Sequence, residues 1–129
     1  LYYNGGRQYG GPEPQRGVDR EMCGTCLATL RRDGFVSLDA GADEGTLVTR
    51  AFRFGGRRLL VNVKAPNGFV RAELCDPSGT AVCISEPLSG DLTNGEMRWT
   101  RGDPQQLAGR EVVLRLRARQ AELYSYWIE

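Results

Sequence analysis

The chain contains no histidine among its 129 residues. That absence removes the commonest general base, the commonest metal ligand and the usual partner of a nucleophilic Ser or Cys, so catalysis built on imidazole is excluded. An excess of one charge is lacking as well: 17 Lys and Arg stand against 16 Asp and Glu, a net of +1. Without a whole-molecule field to gather polyanions or anionic lipid, nucleic acid is not expected as a partner. No apolar run approaches the ~20 residues of a spanning helix, and no secretory leader opens the chain, so membrane insertion is not expected either. The chain starts at Leu1 rather than Met, which is expected of a processed or excised piece of a longer protein, its targeting signal lying elsewhere.

What is present reads as one domain, the usual outcome at this length. Residues 1–22 are rich in Gly, Pro, Arg and Tyr, lack any period of 2 or 3.6, and read as an irregular arm or linker. From there to residue 129 short apolar alternations recur between turn dipeptides, the pattern of an all-β domain. Residues 27–32 and 35–40 flank Asp33-Gly34, a type I′ hairpin signal. Asn67-Gly68 gives a second one. A two-residue turn there would pair Ala65 with Val70, Val63 with Ala72 and Val61 with Leu74 on one wholly apolar face. Lys64 with Arg71 and Asn62 with Glu73 would then form a wholly polar one. Further strands are expected at 45–54, 80–85, 95–100, 111–117 and 122–128. Within 111–117, Val112, Leu114 and Leu116 share one face while Val113, Arg115 and Arg117 share the other. Asp103-Pro104 followed by Gly109 allows one helical turn. The expected fold is an antiparallel two-sheet β-sandwich, jelly-roll or concanavalin-like, of about eight strands.

Four cysteines, Cys23, Cys26, Cys75 and Cys83, leave three readings open: disulfides, a zinc site and free buried thiols. The Cys23-x-x-Cys26 pair would supply half of a zinc site, but Cys75 and Cys83 are separated by a stretch containing the turn Asp76-Pro77-Ser78-Gly79. Disulfides are the preferred reading, and they imply an extracellular or secreted protein. No βαβ pattern follows Cys26, which argues against thioredoxin-like redox chemistry.

Asp39, Asp43 and Glu44 gather oxygen ligands in a Gly-rich stretch, making a weak candidate for structural Ca²⁺. The spacing of a known calcium loop is absent, so a solvated acidic turn is the preferred reading and no cofactor is otherwise expected. No carboxylate pair is singled out for glycoside hydrolysis, which depends on separation in space. The polar face is the main candidate site. Asn62, Lys64, Arg71, Glu73, Arg115 and Arg117 would line one sheet with planar donors and acceptors suited to sugar hydroxyls or carboxylates, the competing reading being an ordinary solvated face. Trp127 adds a ring from a segment, 123–128, in which both faces carry aromatics. Trp99 shares parity with Met97 and belongs to the core. In the first hairpin Leu27, Val36 and Leu38 occupy one face and Ala28, Leu30 and Phe35 the other, so a neighbour, either the arm or another domain, is expected to cover one side.

Leu1-Tyr2-Tyr3-Asn4-Gly5-Gly6 with Gly10-Gly11-Pro12, then Leu27-Ala28-Thr29-Leu30-Arg31-Arg32-Asp33-Gly34-Phe35-Val36-Ser37-Leu38, Leu60-Val61-Asn62-Val63 and Ala121-Glu122-Leu123-Tyr124-Ser125 together resemble a segment of uncharacterised bacterial proteins. There it follows a five-bladed propeller similar to invertase-like and arabinanase-like glycoside hydrolases. The resemblance spans nearly the whole chain. It implies a C-terminal β-sandwich appended to a glycosidase-like propeller, with the catalytic carboxylates in the propeller and the residues around Tyr2 and Tyr3 forming its last strand or the link from it. Tyr9 stands where the pattern has His, and cysteines beside the Leu-Ala-Thr-Leu strand are not part of it. These departures point to a stand-alone or secreted relative.

The function expected is a non-catalytic, carbohydrate-associated accessory module whose partner is a glycan. The alternative is a structural docking domain that packs on a neighbouring propeller or another protein.

Overall fold

A computed structural model of the chain describes residues 2–6 and 23–129. The chain divides into two compact units, Leu1–Arg31 and Arg32–Glu129. In the first, β1 (Tyr2–Gly6) pairs antiparallel with β2 (Cys23–Leu27). The expected irregular arm therefore begins with a strand. Its residues 7–22 lie outside the described residues, and the unit boundary falls later than residue 22.

The second unit is all-β. In chain order its strands are β3 (Leu38–Ala40), β4 (Gly45–Val48), β5 (Phe52–Arg53), β6 (Leu59–Cys75), β7 (Ala81–Ser85), β8 (Leu88–Glu96), β9 (Trp99–Arg101), β10 (Glu111–Arg119) and β11 (Ala121–Ile128). All nine join one antiparallel sheet that is nearly barrel-shaped. Among the described residues the sole helical element is a 3-10 turn, Pro104–Leu107, where the Asp103 carboxylate accepts from the Gln105 amide at 2.9 Å as its sequence signature requires.

The 17-residue β6 organises this sheet. Its first half pairs with β11 on one side and its second half with β10, so β10 and β11 run along it as one interrupted strand. On the other side β8 and then β7 do the same. The hairpin expected at Asn67-Gly68 is not formed, and neither residue adopts the positive φ that a type I′ turn requires. Gly68 is there for close approach instead: a Cβ at that position would lie 1.9 Å from the Arg119 carbonyl oxygen. Facing it, Gln120 takes φ +46° and breaks the partner strand at the same level. The β6–β8 register shifts between Ala65 and Val70, and Gly90, opposite Ala65, takes φ +109°. Such shifts bend a sheet sharply.

The bend also switches side-chain parity. Val61, Val63 and Ala65 point inward before it, and Val70, Ala72 and Leu74 after it, all fully buried in one core. Val112, Leu114 and Leu116 join them from β10, and Ala121 and Leu123 from β11. The apolar face expected from the sequence is therefore present, produced by one strand bending over its own core rather than by two strands joined in a hairpin. The first expected hairpin is also corrected. Asp33 takes φ +50° and a turn does occupy 32–35, but β2 pairs with β1 and β3 with β11. Met97 is buried and Trp99 packs against the core, as their shared parity requires.

Candidate functional site

The bend divides the six polar residues expected to share one face. Asn62 and Lys64 lie opposite Ser125 and Glu122 of β11, whereas Arg71 and Glu73 lie opposite Arg117 and Arg115 of β10. They form two outward clusters, one on each half of β6.

The β11 cluster is closed. Asn62 is fully buried and its amide donates to the Arg32 carbonyl, while the Ser125 hydroxyl donates to Asp33 at 3.0 Å. These bonds pin the 32–35 turn onto β11. The Arg32 guanidinium then lies over the Trp127 ring, 4.6 Å from its centroid, so that face of the ring is occupied by a cation. Lys64 is neutralised by Glu122 at 3.1 Å, a contact that raises the lysine above its ordinary pKa, and Tyr124 donates its hydroxyl to the same carboxylate.

The β10 cluster has another character. Cross-strand partners place Glu73 beside Arg115, Arg71 beside Arg117 and Phe69 beside Arg119 on one outward face. Glu73 is 7% exposed and is gripped from two sides, by Arg115 Nη1 and by Arg117 Nε, each at 2.9 Å. Arg117 reaches on to Glu44 at 3.0 Å and is held above the ordinary arginine pKa by Glu44 first and Glu73 next. Arg115 also donates to the Gly79 carbonyl at 3.1 Å. Arg71 differs from both. Among the described residues it has no ion pair, and its Nε is buried with no hydrogen-bond partner. Leaving such a donor unmade costs about 1–3 kcal/mol, and an arginine directly opposite another is destabilising in its own right. Arg119 extends the row, its guanidinium 5.6 Å from the centroid of Phe69.

Sequence reasoning missed Arg119 and Phe69. Arginines at 115, 117 and 119 recur at every second residue, but the expected strand ends at 117, and no expected site includes Phe69.

The other candidates are dispersed. The Asp39 carboxylate accepts from Ser37 at 2.7 Å and that of Glu44 from Arg117, and no group of three potential metal-ligating side chains occurs among the described residues. Cys26, Cys75 and Cys83 are free thiols, and the Cys23 side chain lies outside the described residues. The expectation of paired cysteines is corrected for Cys75 and Cys83 by strand geometry. Cys83 lies opposite Leu74 and shares its core face, whereas Cys75, the next residue along β6, points to the other face. Side chains on opposite faces cannot be bridged without moving backbone. Burial pushes both thiols above the ordinary cysteine pKa, so neither is poised as a nucleophile.

A second surface feature is apolar. Leu38 and Ala40 of β3, Leu47 of β4, Leu116 and Ala118 of β10 and Leu123 of β11 line a cleft of about 250 Å³. A neighbouring cleft of about 330 Å³ shares Leu38, Leu47 and Leu123 and adds Val36, Tyr124 and Tyr126. Close by in the chain, Phe35 is 83% exposed and Val36 73%. No family model, no curated protein and no solved structure matches this chain.

Proposed function

We propose that the Arg32–Glu129 unit is a non-catalytic, carbohydrate-associated accessory module, a secreted sandwich of the jelly-roll or concanavalin-like kind, that holds glycan on the outward face of β6 and β10. The observation that supports this reading most is the arginine and glutamate array on that face, in which Glu73 orders two guanidiniums and, among the described residues, the buried Arg71 Nε has no hydrogen-bond partner. Planar guanidiniums offer paired donors to vicinal hydroxyls or carboxylates, and a carboxylate held between them sets their orientation. Asn62, Lys64 and Trp127 contribute little, because each is already engaged by the 32–35 turn or by Glu122. Neither a metal nor a catalytic residue enters the reading. Affinity electrophoresis through neutral and acidic polysaccharides tests it: retardation by at least one polymer is expected, and free migration through all of them ends the carbohydrate reading.

A second reading, a docking module packed on a propeller or partner protein, draws on the exposed Phe35 and Val36 beside the apolar clefts. Exposed apolar side chains clustered this way mark interaction surfaces. If the coding sequence continues into a propeller, the two parts produced separately should co-elute, and Phe35→Asp should separate them. Independent elution of the unmodified parts contradicts docking.

A further inference from the structure

We infer that the β6–β10 face is selective for acidic glycans, with a carboxylate or sulfate bridging Arg71 and Arg117; the inference rests on the carbohydrate reading above and names its ligand class. Four arginines, 71, 115, 117 and 119, lie on the β6 and β10 strands of this face, and the carboxylates ion-paired to them among the described residues are Glu73 and Glu44. The two carboxylates are taken up by Arg115 and Arg117. Among the described residues Arg71, facing Arg117 across the strands, has no ion pair, and its buried Nε lacks a partner. An anionic oxygen between the two guanidiniums would screen the repulsion, and a swing of the Arg71 side chain onto it would bring the buried Nε to a partner. A neutral hydroxyl could accept the hydrogen bond but would leave the charge unscreened.

The row geometry suits a linear polyanion. Along β10 an arginine recurs at every second residue, the backbone positions about 7 Å apart, from Arg115 through Arg117 to Arg119. Phe69 provides one apolar ring beside the row, and Arg119 lies over it. Nucleic acid is disfavoured on the same observations. A strand of bases calls for repeated aromatic platforms, and this ring is the sole aromatic among the paired residues of the row.

The experiment is affinity electrophoresis of the full chain in gels containing polygalacturonate, dextran sulfate, arabinan or xylan, with oligo(dT) binding measured in parallel. Retardation by an acidic polymer, weakened about tenfold by Arg71→Gln, is the expected result. Arg57→Gln, which alters an exposed arginine preceding β6, should leave it unchanged. The polygalacturonate and dextran sulfate arms tell carboxylate from sulfate. Retardation by arabinan or xylan alone overturns this inference and leaves the carbohydrate reading standing. No retardation in any gel overturns both. Tighter binding of oligo(dT) than of either polyanion, or equal loss from Arg57→Gln and Arg71→Gln, overturns the inference in favour of nucleic acid or of unspecific charge. Thermal unfolding of Arg71→Gln provides a readout independent of ligand. A midpoint at or above that of the unmodified chain is expected, and a clear fall would mean that Arg71 serves the fold instead.

Discussion

The two halves of β6 start from one alternating pattern and arrive at opposite surfaces. Before the bend, the outward residues are consumed by the molecule itself: Asn62 holds the Arg32 carbonyl, Glu122 neutralises Lys64, and Arg32 covers Trp127. After the bend, arginines face one another across β6 and β10, and among the described residues the buried Arg71 Nε has no partner. Polar residues at alternate positions therefore do not by themselves make a binding face. Loops supply matching groups on both sides, the 32–35 turn before the bend and Glu44 and the Gly79 carbonyl after it. What distinguishes the halves is that, among the described residues, those groups leave the buried Arg71 Nε without a partner.

The contrast depends first on the bend. Gly68→Ala would press a Cβ into the Arg119 carbonyl, and about 3 kcal/mol of stability should be lost. Urea unfolding checks this; a variant as stable as the parent would mean that the close approach does not define the fold. Next in size is Glu73→Gln, which leaves two guanidiniums facing each other without their buried counter-ion. Breaking a buried pair costs about 3–5 kcal/mol, and the partial exposure of Arg115 and Arg117 brings the expected loss to about 2 kcal/mol. Arg32→Ala should remove about 0.5–1 kcal/mol of cation–π attraction and uncover Trp127, seen as stronger quenching of its fluorescence by acrylamide. Unchanged quenching would show that the closed half is closed by something else.

The smallest effect concerns the turn that follows β6. The Ser78 hydroxyl, and after it the Thr80 amide, hold the Asp76 carboxyl below its ordinary pKa. A depressed carboxyl contributes stability that is present above its unfolded pKa, about 3.9, and is lost as pH falls through the lower folded value. Asp76→Asn should therefore flatten the stability curve below about pH 4 and leave its shape at neutral pH alone. A curve of unchanged slope in acid would remove Asp76 from the account.

Much of this was legible in the sequence, and the failures have one physical origin. Alternation along 111–117 gave the correct buried face because period 2 is a local property of any strand. The set Val61, Val63, Ala65, Val70, Ala72 and Leu74 was also read correctly as one face. Its cause was not, because a two-residue hairpin and a bulged bend both reverse parity over the same few residues. The pattern is blind to which has occurred. The difference lies in the backbone at Gly68, where the chain needs room for Arg119 rather than positive φ. The turn at Asp33 was likewise visible, whereas the partners of β2 and β3 were not, since pairing with β1 and β11 is decided by contacts distant in sequence. The same blindness split the candidate site: residues assigned to one polar face belong to two.

The most direct test of that division is a titration of ¹⁵N-labelled protein with a polygalacturonate oligosaccharide, following side-chain N–H resonances. The division implies shifts at Nε of Arg71, Arg117 and Arg119, with the Asn62 amide and Trp127 indole unmoved. Shifts centred on Asn62 and Trp127, or none on either half of β6, would contradict it.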